Sequence, residues 1–151
     1  MLWQDVLFDR PADSHALVPA LAEAFGVEPS GVRVVDEITP ELDTTGVAVL
    51  AERTPRRGHF PVQLSIYLRG PALAQRMTSF PATVQAAKRL AGLLQSGCLI
   101  AGDADNPEAD FLIQPNGELL RVTLDDDALA NDEYVVTASE PIGSATARNL
   151  R

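Results

Sequence analysis

Residues 62–69 read VQLSIYLR, in which Val62, Leu64, Ile66 and Leu68 alternate with Gln63, Ser65, Tyr67 and Arg69. Strand side chains project to opposite faces with a period of two, so this stretch predicts a sheet with one apolar face. Such a face must be covered by a second layer, and two helical segments can supply it. Leu17, Leu21, Ala24 and Phe25 recur at helical spacing up to Gly26, with Asp13 or Ser14 as candidate N-caps. Pro19 interrupts that segment, and its missing N–H favours a helix that begins near Val18. The second segment lies within residues 70–97, where Pro81 marks the start, Thr78 or Ser79 the cap, and Gly97 the stop. Val84, Ala87, Leu90, Ala91 and Leu94 share its apolar face.

Strands are also predicted at LWQDVLF (2–8), VRVVDEI (32–38), TGVAVLAE (45–52), CLIA (98–101), DFLIQ (110–114) and ELLRVTL (118–124). Asn116-Gly117 joins the last two as a hairpin signal. YVVT (134–137) can add an edge strand. The order βαβββαβββ predicts an α+β fold, with two helices packed on a mainly antiparallel sheet of six to seven strands. Residues 1–137 are expected to form one domain and residues 138–151 a flexible tail.

Cys98 is the only cysteine of the 151 residues, so no internal disulfide can form. The start of the chain shows neither a basic leader nor a long apolar run, and no stretch approaches a membrane span, so a cytoplasmic protein is expected. Net charge is -9, and it is unevenly placed. Residues 98–140 hold eleven carboxylates against Arg121 alone, a net -10, which leaves the rest of the chain at +1. That distribution repels phosphate backbones and argues against nucleic acid as a partner.

One acidic stretch, GDADNPEAD (102–110), contains Asp103, Asp105, Glu108 and Asp110. Read as a calcium loop from Asp103, it has Pro107 in the fifth position, Glu108 in the sixth and Gln114 in the twelfth, where a carboxylate or amide, Gly and Glu are needed. The stretch from Asp125 fails as well, with Leu129, Ala130 and Val136 at those positions. A solvated turn accounts for both, and no metal is expected. His15, His59 and Cys98 share no ligand spacing. Ser14 beside His15 is adjacency without triad geometry, and Cys98 opens an apolar strand as a buried thiol would. No phosphate-binding glycine loop occurs, and no cofactor is expected. Catalytic residues are therefore not assigned.

Two candidate surfaces are left. Asp103, Asp105, Glu108, Asp110, Asp125, Asp126 and Asp127 can steer a basic protein partner, in the manner of an inhibitor or a chaperone-like adaptor. Arg56, Arg57 and His59 in TPRRGHFP can gather an anion at the tip of a hairpin. The competing reading is a small enzyme or small-molecule-binding domain with its pocket near the 53–61 loop. A third is a homodimer joined by an exposed strand edge, supplied by the tail or by the strand near 134–137.

Overall fold

A computed structural model describes residues 2–101 and 110–142. The architecture is α+β, with a large mixed sheet of eight strands ordered β10-β8-β7-β6-β1-β5-β3-β2. In chain order the strands are β1 (Leu2–Phe8), β2 (Val32–Val35), β3 (Val49–Pro55), β4 (Arg57–Gly58), β5 (Val62–Leu68), β6 (Cys98–Ala101), β7 (Asp110–Ile113), β8 (Leu119–Leu124), β9 (Glu133–Tyr134) and β10 (Val136–Pro141). Strands β4 and β9 stand outside the large sheet as a two-residue parallel pair. The helices are α1 (Ser14–Phe25), α2 (Pro71–Arg76), α3 (Phe80–Leu94) and α4 (Asp126–Leu129). Two of the four are short, and the sheet is larger than the expected six to seven strands. The expected tail boundary at 137 falls inside β10, and residues 143–151 lie outside the described residues. No helix among the described residues is long and apolar enough to cross a membrane.

Helix α1 begins earlier than Pro19 suggested. The Asp13 side chain accepts from the Ala16 N–H at 2.9 Å, and Pro19 is held inside the helix. Burial of Leu17, Ala20, Leu21, Ala22 and Phe25 on one face offsets the hydrogen bond that proline cannot make. Ser79 caps α3 by accepting from Ala82 N at 3.2 Å, with Pro81 in the first turn, as read from the sequence. The helix stops at Gln95, which takes the left-handed conformation (φ 51), so Gly97 is not its stop signal.

What Gly97 does instead is join the two halves of the sheet. Strand β1 pairs with β5 along most of its length, but meets β6 only at Leu7↔Leu99 and Phe8↔Cys98. The ladder is extended by Asp9 N–H donating to the Gly97 carbonyl at 3.0 Å. The Asp9 carboxylate in turn accepts from Gly97 N–H at 2.8 Å and from the Ser96 hydroxyl at 3.1 Å. A Cβ on residue 97 would run into that carboxylate.

One face of the sheet carries α1 and α3, over a core that includes Val6, Phe8, Leu64, Ile66, Ile100 and Ile113. The opposite face was expected to be solvated, yet Leu7, Leu99, Leu112, Leu120 and Val122 are buried there together with Phe60. Even Gln63 and Ser65, the polar positions of the opening alternation, are 7% and 9% exposed. The apolar runs CLI in β6 and FLI in β7 belong to strands buried on both sides. The large sheet is mainly antiparallel, with β2 pairing parallel to β3 as the exception among the described residues. Residues 36–48 form the crossover that a parallel pair requires.

Gly97→Ala is expected to destabilise the fold by about 2 kcal/mol or more in denaturant unfolding, because the clash falls on a hydrogen-bonded carboxylate. Combined with Asp9→Ala, which removes the obstructing group, the effects should be clearly less than additive.

Candidate functional site

The β3–β5 hairpin does not end in a free tip. Its residues 56–61 fold against the segment 131–136 on the helix-free face, which brings the basic loop onto part of the acidic segment. Arg57 and Gly58 pair with Glu133 and Tyr134, and His59 N–H donates to the Tyr134 carbonyl at 2.9 Å. Gly58 (φ 91) lies so close to Tyr134 that a Cβ would stand 2.8 Å from its carbonyl oxygen. Phe60, at 2% exposed, is the apolar plug beneath this clasp.

Each group proposed for anion capture has a partner in the fold. Arg56 Nε donates to Gln63 Oε1 at 2.8 Å, and Arg57 pairs with Glu133 at 3.4 Å while reaching the Asn131 carbonyl at 3.4 Å. His59 Nδ1 accepts from Val136 N–H at 3.2 Å, an arrangement that leaves the ring proton on Nε2.

Among the proposed partner-binding acids, Asp103, Asp105 and Glu108 lie outside the described residues. Asp125 caps α4, accepting from Asp127 N at 2.9 Å and Ala128 N at 3.1 Å. Asp126 and Asp127 follow it in the first turn, where the free N–H groups favour negative charge, and both are exposed. Asp132 is exposed and takes a left-handed conformation (φ 59), which Asp tolerates. Glu133 is held by Arg57, whereas Asp125, Asp126, Asp127 and Asp132 enter no ion pair among the described residues. Asp110 starts β7, half-buried, and that burial holds its carboxyl above the usual carboxylate range.

A feature that the sequence did not disclose lies on the other flank of the hairpin. A hollow of about 620 Å³ opens between the N-terminal end of α1 and the base of the tip, walled by Pro11, Ala12, Pro55, Pro61 and Val62. Asp13, Asp36 and Arg53 supply its polar groups. Arg53 is already engaged, its Nε and Nη2 each 3.2 Å from Asp36 Oδ1 and its Nη1 3.0 Å from the Ala12 carbonyl. Pro11, Ala12 and Asp13 also border a second hollow of about 420 Å³, which continues along α1 past Ala16, Pro19 and Glu23 to Leu93 on α3. Pro55 and Pro61 face each other across the base of one hairpin, in the register Pro55↔Val62, whereas Pro11 is distant in the chain and reaches them only through the placement of α1. The one available signal was the pair Pro55 and Pro61 bracketing the basic loop.

Cys98 is fully buried, and desolvation together with the nearby Asp9 charge pushes its thiol far up, which leaves no thiolate for nucleophilic chemistry. His15 is exposed on the first turn of α1. No three His, Cys, Asp or Glu side chains among the described residues come together as a metal site. Comparison of the chain with family models, with curated proteins and with solved structures gives no match.

Since burial disfavours the charged form of Asp110, ionisation at neutral pH subtracts from folding stability. Asp110→Asn should therefore raise the melting temperature at pH 7. The gap should close as pH falls below about 4, where the carboxyl is protonated in both folded and unfolded chains. Paired melts across that range check the sign.

Proposed function

We propose that the protein acts in the cytoplasm by binding another protein whose docking surface is basic. The observation that carries this reading is the acidic stretch from Asp125 to Asp132. It holds three exposed carboxylates, Asp126, Asp127 and Asp132, with no ion pair beside them among the described residues. Charges left uncompensated on a rigid turn project a field that accelerates encounter with a cationic surface. The clasp at Arg57, Gly58 and His59 fixes that turn to the sheet, so little ordering cost is added on binding. The buried, protonated thiol of Cys98 is compatible with a reducing compartment.

A second reading, a small-molecule-binding domain or small enzyme, draws on the 620 Å³ hollow beside the 53–61 loop. Its volume falls within the range of small-ligand sites. Its polar groups are Asp13, which caps α1, and the paired Arg53 and Asp36, an arrangement that suits binding.

The test is capture from an extract of the native host at low and then moderate salt, using the wild type and the triple variant Asp126→Asn, Asp127→Asn, Asp132→Asn. The expected result is a basic protein retained at low salt and released as salt rises. The captured protein should associate about ten-fold more slowly with the triple variant, whose stability should change by less than about 0.5 kcal/mol. Equal retention by both forms, or no retention at either salt, overturns the proposal.

A further inference from the structure

The acidic stretch explains how a basic partner is drawn in but supplies no apolar anchor, and tight interfaces need one. The α1-side groove provides it. Pro11, Pro55, Pro61 and Val62 form a preformed apolar seat, since proline rings cannot collapse into the space as flexible side chains would. The groove continues between α1 and α3 to Leu93, one of the few large apolar side chains left exposed, at 45%. A partner of definite charge is implied by the polar groups along the groove. Asp13, Glu23 and Asp36 line it against a single lining cation, Arg53, which Asp36 already neutralises. Asp13 and Glu23 enter no ion pair among the described residues, and Arg89 reaches only the Glu23 backbone carbonyl, at 3.4 Å. An anion would have to break the Arg53–Asp36 pair and then lie among carboxylates. A cation meets neither obstacle. Pro55, moreover, is shared with a hollow lined by Arg56, Arg57, Asn131 and Asp132, in which Arg56 is bonded to Gln63 and Arg57 is paired with Glu133, so the groove adjoins the acidic stretch across the clasp.

We infer that this groove receives an extended, basic segment of the partner protein, seating a bulky apolar side chain against Pro11, Pro55, Pro61 and Val62 while flanking Lys or Arg residues meet Asp13 and Glu23. The inference rests on the basic-partner reading above and deepens it, by locating the anchor away from the steering charges. Such an arrangement has the usual anatomy of an interface, an apolar centre with a charged rim.

The experiment is a titration of the isotope-labelled protein with defined peptides, followed by amide NMR shifts. The first probe is Lys-Arg-Leu-Trp-Lys-Arg, the second replaces Leu-Trp with Ala-Ala, and the third replaces every Lys and Arg with Glu. With the first, saturable shifts are expected at Ala12, Asp13, Arg53, Val62 and Leu93. The Ala-Ala peptide should bind about ten-fold more weakly, as truncation of a buried anchor does, and the acidic peptide should leave those amides unmoved. Glu23→Gln with Asp13→Asn, whose amide oxygen can still cap α1, should weaken the first peptide several-fold with little change in the melting temperature. Ala16→Trp, an exposed position on the groove wall, should block it. Shifts confined to residues 125–136 would overturn the groove assignment and leave the basic-partner reading standing. Shifts nowhere would count against both. Equal binding of the first two peptides would remove the anchor. Indole alone seating in the groove, with no basic peptide doing so, would hand the site to the small-molecule reading.

Discussion

The eight-stranded sheet holds together at one narrow place, the seam where Leu7 and Phe8 meet Cys98 and Leu99. On one side of it lie β1, β5, β3 and β2, and on the other β6, β7, β8 and β10. Two residue pairs are few for a join of this size, and the Asp9 carboxylate reinforces them by binding Gly97 N–H and Ser96 Oγ. The same carboxylate occupies the space that a side chain at 97 would need. Helices α1 and α3 pack on one another across the sheet, so the seam also receives support from above. All later geometry depends on this junction, because it sets the position of the hairpin half against the acidic half.

Once the halves are joined, the central strands present apolar side chains on both faces. One face receives the helices. The other gains a roof from Phe60 and from the segment carrying Tyr134 and Val136. Burial of Leu7, Leu99 and Leu112 gives the hairpin tip a reason to fold over. The two-residue ladder, the His59 contacts and the Arg57–Glu133 pair then fix its register. The basic loop is thus part of the scaffold of the acidic stretch, with its cations spent on internal partners.

This division separates two surfaces that the sequence presents as one charge imbalance. The exposed acids of 125–132 are suited to long-range attraction, which salt screens and which sets rates of encounter. The proline-walled groove is suited to short-range anchoring, which depends on excluded water and shape. They meet at Pro55, where the hairpin leaves the sheet.

Local rules were enough for much of this protein. The alternation at 62–68, the caps at Asp13 and Ser79, the Gly26 stop and the Asn116-Gly117 turn depend on neighbours a few residues away, and each is readable in the chain. The uneven charge is likewise a property of sequence alone. Local rules failed wherever a residue answers to a distant partner. Pro19 is carried inside α1 because the helix buries a whole apolar face. Gly97 looks like a helix stop and is a point of close approach to Asp9, 88 residues away. Arg57 and His59 read as a free loop until the roof places them against Glu133 and Val136. The groove is the extreme case, since nothing in the chain links Pro11 to the Pro55 and Pro61 pair until helix docking brings them together. Sequence determined the elements and the sign of the field, because those follow from backbone preference and composition. Tertiary structure decided which charges stay free and where an apolar hollow opens, because both depend on what long-range packing leaves uncovered.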